Sequence, residues 1–465
     1  MPIGSLSEHR DSTIVVMERS THEILLPDDF DPYSQESCSD GRNIIQRLFS
    51  KMEKNSLRGG AISMITSALG VAIFSYPKSF SYYGYILGPL AIFYSAVSTA
   101  ISYVIIAELC AMYPNHSLYS ELVNHFLGNF WSKYTSWVLM IYYLGCNVGF
   151  TIVINICFRE VFGHKIAANF EVPFDDYFKK NLSLLVTIFL TLVYFFGTLL
   201  RRAGIIHYAG LLVVLMGFYL AAVTIFQARE YAEEFKPEYQ PYGCGKLSQY
   251  LLQFGVFFFA FDSVQGFHQV YSSIRMPTTR RIRKLGYLVS ISLFLLYTSF
   301  TSAAYYSLGT SMQSDDFDIF PNKKPLSTDP NNIYMLILKG TLIVSLLASY
   351  IVNAIPLKTQ ILVHFGMKDS GKNHFFMAIV ISFLTGFLAV AYPEVQEWMS
   401  MMGALGANSL AVLIPTVCFY YAVKDRPEFA TYLRLATAWA SVTTTVCFIC
   451  IGMLVMDFAG YHPSW

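Results

Sequence analysis

Beyond residue 57 the chain alternates long apolar stretches with short polar clusters, and the stretches are long enough to be membrane helices. About 20 consecutive apolar residues cross a bilayer, and eleven segments meet that length: 60–82, 86–112, 132–158, 182–200, 205–226, 250–273, 286–309, 332–357, 374–392, 397–422 and 432–456. Turn and charge clusters divide them, among them Tyr113-Pro114-Asn115, Arg201-Arg202 and Asp425-Arg426-Pro427, while only a few residues around Gly84 part the first from the second. The pattern predicts an all-α polytopic membrane protein with 11 transmembrane helices.

Two of these segments carry residues that a lipid-facing helix avoids. Segment one reads Thr66-Ser67-Ala68-Leu69-Gly70-Val71-Ala72-Ile73-Phe74-Ser75-Tyr76-Pro77, and segment six reads Phe259-Ala260-Phe261-Asp262-Ser263-Val264-Gln265-Gly266. Lipid provides no hydrogen bonds, so irregular backbone survives at membrane depth only inside protein or along a cavity. Paired interruptions of this kind point to a transporter's substrate site.

Residues 1–57 are polar and lack the apolar core of a signal peptide. Within them Ile44, Ile45, Leu48, Phe49 and Met52 recur at helical spacing among Arg42, Arg47, Lys51 and Lys54, which predicts an interfacial helix over 43–55. A disordered tail explains the same residues equally well. The expected organisation is a cytoplasmic tail over 1–57, a transporter domain over 58–456 and a short exterior tail over 457–465.

Composition agrees with the pattern: 54% of residues are hydrophobic, 14% are charged, and the mean hydropathy is +0.44. A net charge of +1 gives no reason to expect a nucleic-acid partner. Charge position is more informative, because Arg201, Arg202, Arg280, Arg281, Arg283, Lys284, Lys368 and Lys372 gather on one side of the predicted spans. Glu230, Glu233, Glu234 and Glu238 lie on the other, as do Asp315, Asp316 and Asp318. The positive-inside rule then places the amino terminus in the cytoplasm and, after an odd number of spans, the carboxyl terminus outside or in a lumen.

The interruptions define the candidate site. Backbone N–H groups freed near Gly70, Val71, Ala72, Ile73 and Phe74 attract a carboxylate, as helix amino termini do. Carbonyls freed near Phe259 and Phe261 suit an ammonium group. Asp262, beside Ser263, is open to two roles: it contacts substrate or carries a proton, or it caps the half-helix that follows. Thr66, Ser345 and Ser349 form a hydroxyl group suited to a weakly held sodium ion, or to interhelical hydrogen bonding. No nucleotide-binding loop, metalloprotease motif or nucleophile elbow is present, so neither catalytic residues nor a metal site are expected, and no cofactor is called for.

In order and content these motifs resemble the amino acid/auxin permease family. Segment one is similar to its N-x-x-x-G-x-G-x-L-x-x-P signature, with Thr66 at the asparagine and Ala72 at the second glycine. Phe259-Ala260-Phe261, Arg275-Met276-Pro277, Ser349-Tyr350, Pro356-Leu357-Lys358 and the small-residue run from Gly403 to Pro415 resemble five further features in order. The resemblance implies a LeuT-type fold, with two inverted five-helix repeats plus an eleventh span and breaks in spans one and six. It also implies an amino acid substrate carried across a plasma membrane or a vacuolar or lysosomal-type membrane. The expected driving ion is the proton, with sodium as the alternative. A sensor built on the same fold is the rival, with the tail and the basic 275–284 loop engaging a cytosolic partner.

Overall fold

The computed structural model describes residues 57–70, 72–113, 119–169, 176–199, 206–243, 245–274, 278–313, 333–368 and 370–459. The expected interfacial helix over 43–55 and the end of the exterior tail lie outside these residues. Among the described residues all regular structure is helical. Nine helices there are long and apolar enough to cross a membrane.

The first expected span is two pieces. Helix α1 (Leu57–Leu69) is 13 residues long, about 20 Å, too short to cross alone. It gives way at Gly70 to α2 (Ala72–Met112), which a non-helical Gly84 at φ +77° divides into the end of span one and the whole of span two. A side chain at Gly84 would overlap the Gln240 carbonyl oxygen, so glycine is required both by φ and by space. The corner is held there: the Tyr85 N–H donates to the Gln240 carbonyl (3.3 Å) and the Ile86 N–H to that of Pro241 (3.1 Å).

Short α3 (Tyr119–Leu127) precedes α4 (Asn129–Asn169), a 41-residue helix that extends past both ends of the apolar segment 132–158. Then come α5 (Asp176–Thr198) and α6 (Ile206–Phe235). The sixth span is again split, into α7 (Leu247–Phe261) and α8 (Val264–Ser273), with Asp262 and Ser263 outside both. Beyond it are α9 (Thr279–Leu308), α10 (Ile333–His364) and α11 (Gly371–Ala391). The tenth span is built from α12 (Val395–Met401), a π-helical stretch (Met402–Leu413) and α13 (Ile414–Val423), and α14 (Ala430–Phe458) follows.

Both broken helices are enclosed by their neighbours. Helix α1 packs on α6, α8 and α9, whereas α7 packs on α2, α12, α14 and the π-helical stretch. Close approach explains the small residues: a Cβ on Gly403 would overlap the Gly255 carbonyl oxygen, and one on Gly255 would overlap that of Ser400. The periphery is apolar and exposed, most plainly along α11, where Phe375, Phe376, Phe383 and Phe387 point outward.

Candidate functional site

The two breaks lie side by side, and Tyr297 of α9 joins them. Its hydroxyl is 3.1 Å from the Ala68 carbonyl oxygen at the end of α1 and 3.1 Å from that of Ala260 near the end of α7. These are acceptors that helix ends leave without an intrahelical donor. Aromatic packing fixes the phenol, since its ring stands 4.5 Å from that of Tyr76 and 5.4 Å from that of Phe261.

At the second break Asp262 is extended (φ −78°, ψ 109°) and its own N–H donates to the Phe259 carbonyl. Its Oδ1 accepts from the Val264 N–H at 3.1 Å, so the capping role weighed from sequence is present. The Tyr142 side chain lies beside the same carboxyl group and beside the Cys146 thiol. Ser263 is fully buried, and its hydroxyl is hydrogen-bonded to that of Tyr103 on α2. Each residue of the break is thus held by a different helix.

Between the breaks is a narrow space with room for about one water molecule, lined by Ser67, Ala68, Gly70, Tyr142, Cys146, Phe150, Phe259, Asp262 and Asn353. Of the residues singled out from sequence, Gly70, Phe259 and Asp262 line it. Ala72, Ile73 and Phe261 are buried in the surrounding apolar core. Val71 and the side chain of Phe74 lie outside the described residues. Thr66 donates to the Ile62 carbonyl in its own helix (2.7 Å), Ser345 to Leu342 (2.9 Å) and to the Met216 sulfur (3.0 Å), and Ser349 is half-buried.

Sequence reasoning missed the wall opposite the breaks. Tyr142, Cys146 and Phe150 recur every fourth residue of α4, which sets them on one face, and Asn353 joins them from α10. The i, i+4 spacing was visible, but the middle of α4 carries apolar residues all round and nothing marked one face as special.

Two polar groupings flank this region. Ser79 of α2 donates to Gln253 of α7 (2.9 Å), and Gln396 of α12 hydrogen-bonds both. Glu108 near the end of α2 pairs with Arg283 near the start of α9. Only 16% of the Glu108 side chain is exposed, because α9 covers it and supplies the counter-charge.

Residues 53–462 match the model of the transmembrane amino acid transporter family. The chain belongs to that family. Solved structures that share its fold include two point variants of the manganese transporter of Eremococcus coleocola, and that transporter in complex with an aromatic bis-isothiourea compound. Each has 14% identity and a TM-score of 0.55, over 89% of this chain and 91% of the other. At that identity the likeness is one of fold. Among the described residues no three His, Cys, Asp or Glu side chains are placed to hold a metal ion. This family member is an integral multi-pass membrane protein of transporter architecture.

Proposed function

We propose that the protein is a secondary active carrier that moves an amino acid across its membrane by alternating access, with the substrate between the two breaks. The observation that supports this most directly is the shared cavity: Gly70 from one break and Phe259 and Asp262 from the other line a single space. An amino acid offers a carboxylate and an ammonium group a short distance apart. The carboxylate meets the backbone from Gly70 to Phe74 at the start of the second half-helix, and the ammonium meets carbonyls near Phe259, Phe261 and Asp262, with Ser263 beside them.

In this scheme the nine long helices and the two broken spans make eleven, arranged as inverted five-helix repeats of the LeuT type plus one. The amino terminus is cytoplasmic. Asp262 is the proton-coupling residue, since a buried carboxylate is costly to leave charged and a proton neutralises it. Thr66, Ser345 and Ser349 are the candidates if sodium drives the cycle instead.

Flux of a mixture of amino acids into vesicles reconstituted with the full chain, with and without sodium and across a pH step, tests the scheme. Uptake that follows the proton gradient and ignores sodium is expected. Amino acid binding without counterflow would replace the carrier by a sensor, and dependence on sodium would move coupling away from Asp262.

A further inference from the structure

We propose that segment 236–243 positions the transport site from outside the bilayer, by fastening the outer half of span one, the outer half of span six and the end of span seven into one unit that moves together. This rests on the carrier reading given above, in which the side where span one ends is the exterior.

The segment lies between α6 and α7 and contains no helix. Its backbone is paired instead with the ends of other spans. Toward span seven, the Glu238 carbonyl accepts from the Thr310 N–H (3.0 Å), and the Tyr239 hydroxyl donates to the Tyr306 carbonyl (2.7 Å). The Tyr305 hydroxyl accepts from the Gln240 N–H (2.9 Å) and stands 3.2 Å from the Gln240 carbonyl oxygen, so one phenol meets both backbone groups of one residue. That same carbonyl takes the Tyr85 N–H at the corner of spans one and two, which uses both of its lone pairs and joins α2 to α9 through a single atom. Toward span six, the Tyr250 hydroxyl donates to the Tyr242 carbonyl, and the Tyr83 hydroxyl donates to that of Tyr250.

A strap held this way is stiff. Pro237 and Pro241 fix φ at two of its residues. Gly243 has φ +66°, and a Cβ there would overlap the Tyr82 carbonyl oxygen, so the strap lies against the corner backbone with nothing between. Farther in, the same helices touch again: the Tyr76 and Phe257 rings are 5.0 Å apart and those of Phe80 and Tyr305 are 5.6 Å apart. From Gly84 back to Ala72, and from Tyr250 on to Phe261, the chain runs about 17 Å as helix. Each run is a lever with the strap at one end and a break at the other. A shift of the strap therefore reaches both breaks at once.

The test is a cross-link. In the full-length protein carrying Glu238→Cys and Thr310→Cys, a short bifunctional thiol reagent joins the strap to the end of span seven, and the two single variants treated alike control for native cysteines. Uptake of the mixed amino acids should be unchanged by the bridge, because it joins parts that already travel together. Loss of uptake on bridging overturns the inference and leaves the carrier intact, since the strap would then have to detach in each cycle. Failure to bridge at all overturns the contact itself. Tyr305→Phe is the converse, keeping the ring beside Phe80 and removing the pairing to Gln240. Maximal uptake per molecule in the membrane should fall about five-fold, the size of one lost hydrogen bond, with the apparent KM unchanged. The bridge between positions 238 and 310 should restore most of that rate. An undiminished rate, a change in KM alone, or a rate the bridge does not restore overturns the positioning role. If Tyr305→Phe does not reach the membrane, the bridge in the otherwise native chain decides alone. Absence of amino acid flux in the wild type overturns the carrier reading, and this inference with it.

Discussion

Tyr297 meets Ala68 at 3.1 Å, hydroxyl to carbonyl oxygen, and thereby ties a helix of the second half of the chain to the first broken span. A phenol has one proton to donate, and the Ala260 carbonyl stands equally close. One of the two freed carbonyls is therefore always left for another donor. Tyr297→Phe removes the donor and keeps the ring between Tyr76 and Phe261. It should lower uptake by about five-fold, the equivalent of roughly 1 kcal/mol for one neutral hydrogen bond, at an unchanged amount of protein in the membrane. Uptake measured against surface labelling checks this, and an unaltered rate would show that the hydroxyl is only packing.

Asp262→Asn separates the two roles of that residue. The amide oxygen can still accept from the Val264 N–H, so the cap and the fold should remain. The wild type should take up more substrate as the outer solution is acidified, since protonation loads the carrier, whereas the variant should be insensitive to the same step. Uptake across an acid-to-neutral series distinguishes the two. A parallel slope in the variant would remove Asp262 from coupling and leave it a cap.

Glu108 and Arg283 join the end of span two to the start of α9. Arg283 is 45% exposed at its side chain, so the pair is screened, and Glu108→Gln should cost about 1 kcal/mol or less. Exchanging the charges, Glu108→Arg with Arg283→Glu, should recover most of the loss. Thermal unfolding of the purified variants measures both.

Gly403→Ala should be severe. The new methyl would overlap the Gly255 carbonyl oxygen, and relieving that forces α7 from the π-helical stretch at a cost of about 1–3 kcal/mol. Gly452→Ala, with nothing within 4 Å of the new atom, should be tolerated. The monodisperse fraction recovered on purification compares them, and equal recovery would show that the crossing is not tight.

The breaks were legible in the sequence because they violate a rule: glycine, aspartate and serine inside apolar stretches have few uses in lipid. The helices end at Leu69 and Phe261, beside the residues that broke the pattern, and Gly84 is where the first two spans part. What surrounds the breaks was not legible. Tyr103, Tyr297, Phe150 and Asn353 obey the ordinary composition of buried membrane helices, and their meaning comes from which helices touch, a long-range relation that local pattern does not encode. The end of the helix-long pattern was equally silent about α4, whose polar outer turns prolong it beyond the apolar segment.

The outward phenylalanines of α11 govern how this protein can be handled. Phe383 is 69% exposed and Phe387 59%, and in water such a belt would drive particles together. Once extracted, the molecule exists only with a collar of amphiphile around that belt. A melting temperature or a binding constant measured on it belongs to the collared particle, so comparisons among variants hold only when the surfactant is the same.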